Sequence, residues 1–338
     1  MAFERYSKSE ALNEAGKMQG KMAEAKGFYQ EAERLVEVDR GREKIVQIAA
    51  GDVEAKYREL GYHNPDHTQG VRDRTREILL AIQKGSPELV TGATLTIADI
   101  AAVSHDRSVD SYDAVILEGD FAKTVARRWP ELDEAISTQA MVELMKKINA
   151  ERRQAGVPVV FTEQDIQNAS EGVMATVPGF DPKIGTVIQP RLKADTGVIA
   201  RSIALADIGE AGMDTPSFLR TGNNLFKEEN LDIMEALVSG KEISPELKEY
   251  FKKRILGWTN FQPVFAGGRK KLLENELGNL PEAAREEVKK LFAHFDESVE
   301  AAKQVAARRA NMSFEQLVDD MGLRKSQAEQ ERDFRQAA

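Results

Sequence analysis

Two histidines four residues apart, His63 and His67, stand in the stretch Tyr62-His63-Asn64-Pro65-Asp66-His67. The chain has only four histidines, and a third, His105, is followed directly by Asp106 at the end of an apolar run. A distant acid, Asp207, closes another apolar run, Ile203-Ala204-Leu205-Ala206. Imidazole nitrogens and carboxylate oxygens suit one divalent cation, or two where a carboxylate bridges. An ion so held acts as a Lewis acid and activates water, and an imidazole beside it can move a proton. The rest of the chain must bring these points together.

The residues around the first pair spell a helix start. A residue before proline is pushed away from helical angles, Asn is a strong N-cap, and proline suits the first helical position. Asn64 is therefore expected to cap a helix that Pro65 opens, with His67 in its first turn. Val71, Ile78, Leu79 and Ile82 give that helix an apolar face to about Lys84. His63 precedes the cap, so the two histidines reach one site from different directions and can take different roles. Thr96-Ile97-Ala98-Asp99 has the spacing of a capping box and predicts the start of a second helix, running through Ile100 and Val103 to His105-Asp106. That helix is apolar nearly all round, hence central and buried. Ending it on two titratable groups is costly unless something pairs with them, and a cation would. Thr196 to Asp207 reads as another such helix, ended by Gly209 and Gly212.

Elsewhere the pattern is helical too. Residues 1–60 form an arm with apolar stripes at Leu35, Val36, Val38, Ile45, Val46, Ile48 and Ala49. Ser86-Pro87-Glu88 reads as a helix start, and helices are expected through Phe121-Ala122-Val125-Ala126 and around Met141 to Ile148. Val157 to Phe161 is a short strand or an extended connector, and Thr162-Glu163-Gln164-Asp165 opens a further helix. A Gly- and Pro-bearing loop follows from Pro178 to Pro190. Ser244-Pro245-Glu246 starts a helix to about Trp258, Gly267-Gly268-Arg269-Lys270-Lys271 caps a helix and turns, and Leu280-Pro281-Glu282 starts a long helix to about Arg309, with His294 an ordinary member. Ser313-Phe314-Glu315-Gln316 is a capping box, and the end from Arg324 is polar and frayed. The expected class is all-α.

Composition narrows the function. Asp plus Glu outnumber Lys plus Arg by 56 to 47, a net charge of −9, which argues against general nucleic-acid binding or an anionic membrane surface. There is no cysteine, so neither disulfides nor a thiolate zinc site can form. The start, Met1-Ala2-Phe3-Glu4-Arg5, shows no apolar signal segment, and no apolar run approaches membrane-spanning length. A cytoplasmic protein is expected.

Taken in order, a first His, a His-Asp ending an apolar helix and a distant Asp resemble the motifs of the HD superfamily of metal-dependent phosphohydrolases. Tyr62-His63-Asn64 followed by His67 is most similar to the opening motif of cyclic-nucleotide phosphodiesterases. The resemblance implies an HD-type helical bundle over residues 61–265, with the arm before it and residues 266–338 packed as further helices. It implies His67, His105, Asp106 and Asp207 as ligands of a divalent metal (Zn, Mn, Fe or Mg), with Asp106 able to bridge to a second, more hydrated ion. His63 would protonate the leaving oxygen, and His63 and Asp106 would carry the chemistry. Val109 and Leu117 stand where such proteins often carry histidine, so a second ion would depend on Asp106, water and Asp110 or Glu118. That departure argues against the di-iron oxygenases of this fold. Gln262 and, three residues on, Phe265 match the pair that holds a purine, and Asn64 and Arg107 are further candidates for substrate contact. The implied reaction is hydrolysis of a small phosphoester, a nucleotide or cyclic nucleotide. A phosphomonoesterase acting on a small metabolite and a catalytically silent HD scaffold or binding protein remain open, as does a homo-oligomer.

Overall fold

The computed structural model describes residues 40–57, 60–118, 121–129 and 131–324. Within them the chain is mostly helical. Helix α1 (residues 40–57) leads to α2 (Pro65–Gly85), a short 3-10 turn (Pro87–Leu89) and α3 (Gly92–Ser104). A hairpin of β1 (Ser111–Glu118) and β2 (Phe121–Arg128) follows, then α4 (Leu132–Gln154) and α5 (Glu163–Met174). A smaller hairpin, β3 (Gly179–Asp181) and β4 (Thr186–Ile188), precedes α6 (Val198–Asp207), α7 (Glu210–Met213), α8 (Thr215–Glu229) and α9 (Leu231–Val238). The long α10 (Pro245–Leu277), α11 (Glu282–Leu291), α12 (Phe295–Ala310) and α13 (Phe314–Asp320) complete it.

Helix α2 is the axis. It packs on α3, α6 and α11, while α5 closes against α3 and α6. Val71, Ile78, Leu79 and Ile82 of α2 are wholly buried, as are Ala98, Ile100 and Ala101 of α3. Each large side chain so buried contributes about 1.5–3 kcal/mol, so this interface is rigid enough to hold a site at its end. A second apolar cluster joins α8, α9, α10 and α13 around Phe226, Phe251, Ile255 and Leu317. Helix α1 is part of the main body: Ile45 enters the central core, and the Tyr57 hydroxyl accepts from the Val109 amide at 3.0 Å. Leu35, Val36, Val38 and the end beyond Arg324 lie outside the described residues.

Several local expectations are corrected. The stretch expected as a helix through Phe121 to Ala126 is strand β2, paired antiparallel with β1 from Ser111↔Arg128 to Glu118↔Phe121. The loop from Pro178 to Pro190 contains the β3–β4 hairpin. Ser86-Pro87-Glu88 makes only a 3-10 turn. Val157 to Phe161 is the connector, one of its two expected forms. Helix α3 starts earlier than expected, because Thr91 and Thr94 form its capping box. Asp99 is instead buried within the helix, where Arg42, Arg72 and Arg76 reach its Oδ2 at 3.3, 3.3 and 2.8 Å. Helix α10 continues past Trp258, where its end was expected, and through Pro263 and the Gly267-Gly268 pair. Gly268 lets α10 lie against Thr186: a Cβ there would stand 2.5 Å from the Thr186 Cβ. The last long helix is broken into α11 and α12, since the His294 amide donates to the Gly212 carbonyl at 2.9 Å and Phe292 and Phe295 stack beside it. His294 is an exposed residue at that break, paired with Glu297.

Candidate metal centre and substrate cleft

The ends of three buried helices meet. Asn64 caps α2 as its sequence demands, accepting from the Asp66 and His67 amides at 3.0 and 3.1 Å, which fixes His67 in the first turn. His105 is the C-cap of α3, and Asp106 follows it. Asp207 is the last residue of α6. The His67, His105 and Asp207 side chains form a buried cluster whose ligating atoms lie within 4.8 Å of one another, able to hold a metal ion. Asp106 joins from the side: its Oδ2 lies 3.0 Å from His105 Nε2 and 3.3 Å from His67 Nε2. Asp207 Oδ1 lies 3.4 Å from His67 Nε2 and 3.6 Å from His105 Nε2.

These distances fit a common ligand sphere. Atoms about 2.0–2.2 Å from one ion in tetrahedral or octahedral arrangement stand about 2.8–3.6 Å from their neighbours. The contacts are also poorly directed as hydrogen bonds. His67 Nε2, His105 Nε2 and Asp106 Oδ2 are all buried without a hydrogen-bond partner. Each such atom costs about 1–3 kcal/mol unless something else satisfies it, and a shared cation satisfies all three. His105 Nδ1 donates to the Ala102 carbonyl at 2.7 Å, which turns the Nε2 lone pair toward the centre. Burial by itself would lower the pKa of His105, but the Asp106 and Asp207 carboxylates more than reverse this and hold it well above the ordinary imidazole value. The same imidazoles hold both carboxyl groups far below the usual range against the opposite pull of burial.

His63 stands beside this cluster, its ring centroid 5.7 Å from that of His67. Its Nδ1 meets Glu228 Oε1 at 2.5 Å, while Glu228 Oε2 accepts from the Tyr62 and His63 amides at 2.9 and 3.0 Å. Gly61 makes the approach possible, since a Cβ at that position would lie 2.5 Å from the Asn224 carbonyl oxygen of α8. Burial would raise the pKa of Glu228, but His63 and the two amides bring it down to about 2. The neighbouring Glu229 has no such donors. Desolvation, then the Glu228 charge, push it up to about 7, although part of the residue faces solvent. On its other side His63 Nε2 accepts from Arg128 Nη1 at 2.6 Å.

A cleft of about 930 Å³ opens on the centre, large enough for a nucleotide-sized ligand. His63, Asp106 and Asp207 line one side, and Trp258, Phe261, Gln262 and Phe265 of α10 line another. Gln262 lies beside Gly222 of α8, and Trp258 Nε1 donates to the Gly222 carbonyl at 3.0 Å.

Four residues expected near substrate or metal are used elsewhere. The Asn64 amide is spent on the cap and on the Leu60 and Gly61 carbonyls, both at 3.1 Å. Arg107 is bound to Asp52 of α1, at 2.6 Å from Nε. Asp110 is exposed and does not line the cleft. Glu118 lines the far end of the cleft, paired with Lys123 and the Tyr250 hydroxyl. It sits at the hairpin end opposite Arg128, roughly 23 Å along the strand at about 3.3 Å per residue.

The structure adds Arg128, Glu134 and Glu228, which the sequence reading passed over. Glu228 had one signal: Glu228-Glu229 ends α8, where the helix dipole disfavours acids. Arg128 had none, because β2 was expected as a helix.

No protein-family model, no curated protein and no solved structure matches the chain. Among the described residues no helix is long and apolar enough to cross a membrane.

Proposed function

We propose that the protein is an HD-type metal-dependent phosphohydrolase whose substrate is a nucleotide or similar small phosphoester. The observation that carries the reading is the meeting of His67, His105 and Asp207, with Asp106 against both imidazoles, at the buried ends of α2, α3 and α6. Those four residues would hold one divalent ion, which when bound supplies a Lewis acid and lowers the pKa of water. The Ala102 carbonyl orients the His105 imidazole, and the Asn64 cap fixes the backbone that carries His67.

His63 has the surroundings of a proton-transfer group. Glu228 holds its Nδ1, and Arg128 meets its Nε2 at the wall of the cleft. A leaving oxygen that His63 protonates would take the place of the Arg128 N–H at Nε2. The aromatic wall of Trp258, Phe261 and Phe265 favours a substrate with a flat apolar portion, and Gln262 offers both a donor and an acceptor to a base edge. This favours a nucleotide over a small aliphatic phosphate. The test is hydrolysis of cyclic nucleotides, nucleotides and sugar phosphates by purified protein with added Mn²⁺ and with a chelator. Metal-dependent turnover of a nucleotide is expected. Retention of a divalent ion with no turnover on any of them would leave a silent binding fold.

A further inference from the structure

Asp106 presents two different faces. Its Oδ2 is turned to His105 and His67, at 3.0 and 3.3 Å. Its Oδ1 is turned to Arg128, whose Nη2 lies 3.5 Å away. The same guanidinium approaches Glu134 Oε1 at 3.9 Å, Asp133 Oδ2 at 3.6 Å and His63 Nε2 at 2.6 Å. Asp133 and Glu134 are themselves buried, and Glu134 Oε2 has no hydrogen-bond partner. Asp133 accepts from the Asp110 and Trp129 amides, both at 3.3 Å. Two buried carboxylates beside the Oδ1 face of Asp106 still favour a cation there, because crowded buried negative charge is expensive.

Arg128 reaches this place because the hairpin is pinned at both ends. At its far end Phe121 stacks on Tyr250 with ring centroids 4.5 Å apart, and the Tyr250 hydroxyl donates to Glu118 at 3.0 Å. At its near end Arg128 enters the cleft wall.

We propose that the Arg128 guanidinium occupies the place of a second metal ion, so that the centre uses one divalent cation and one fixed organic cation. The inference rests on the phosphohydrolase reading and specifies how its positive charge is arranged. Val109 and Leu117 offer no imidazole to a second ion, and Glu118 is too distant to help. A guanidinium cannot activate water as a metal does, but it presents paired N–H donors that match phosphoryl oxygens.

The deciding experiment counts ions. Full-length protein is titrated with Mn²⁺ by calorimetry, and the loaded protein is checked by elemental analysis. Wild type is expected to take one ion per chain. Arg128→Ala is expected to take two, the second weaker, because Asp106, Asp133 and Glu134 lose their counter-charge. Arg128→Gln, which keeps most of the side-chain volume, should also take two, and Arg128→Lys should take one. Equal non-zero counts in wild type, Arg128→Ala and Arg128→Gln would overturn the proposal and leave the phosphohydrolase reading intact. A wild type that takes no ion would sink both, and that result is distinct from equal counts.

Discussion

His63 Nδ1 meets Glu228 Oε1 at 2.5 Å across 165 positions of sequence, tying the approach to α2 to the last turn of α8. The pair joins a stability device to a chemical one. Glu228 is held at a pKa of about 2 where an ordinary glutamate titrates near 4.5. A depressed acid stabilises the fold above its unfolded pKa, and that stabilisation is lost as pH falls through the folded one. Glu228→Gln should therefore destabilise the protein by on the order of 3 kcal/mol at pH 7, with the deficit shrinking as pH falls from about 4.5 toward about 2. Urea unfolding at a series of pH values reads this directly. A deficit that does not change with pH would mean that the charge on Glu228 is not its source.

The same geometry separates two histidines that lie four residues apart. His63→Gln should leave the metal content of the protein nearly unchanged, because both ring nitrogens of His63 are engaged by Glu228 and Arg128. It should lower turnover by about a hundredfold to ten-thousandfold, the usual contribution of a positioned general acid. The loss should be much smaller with a nitrophenyl ester, whose leaving group departs without a proton. Loss of metal in this variant would make His63 a ligand.

Much of the centre was legible because its chemistry coincides with helix grammar. Asn64-Pro65 fixes where α2 begins, and near-continuous apolar runs mark α3 and α6 as buried, so the acids and imidazoles at their ends are brought to the same region. The opposite wall was harder. Phe121 to Arg128 has residues compatible with either a helix or a strand, and the decisive sign was the short connection Gly119-Asp120 between two eight-residue runs. Reading that stretch as helix hid Arg128. Gly268 and Pro263 look like stops to α10 locally, but burial of Ala266, Leu273 and Leu277 carries the helix past them. Thr96-x-x-Asp99 imitates a cap, and only the arginines of α1 and α2 around Asp99 give its true use.

Phe265 tests the specificity of the cleft. It is part of the aromatic wall with Phe261, at a ring separation of 6.1 Å, and it stacks on Phe218 at 6.0 Å. Phe265→Ala should raise KM for a purine nucleotide about tenfold, in line with about 1–3 kcal/mol per stacked base. KM for a generic aryl phosphate should change much less. Equal changes for both substrates would assign Phe265 to packing alone.

The central claim is that the ends of α2, α3 and α6 hold a divalent ion, and metal content tests it most directly. Purified full-length protein supplied with a divalent ion, then dialysed, should retain it at about one per chain by elemental analysis. A chelator should lower its Tm, because an ion that binds only the folded state adds stability by mass action. Asp207→Ala should retain less metal and melt lower, with little further response to chelator. Wild type that retains no ion, or Asp207→Ala that retains as much as wild type with an unchanged Tm, would contradict the account.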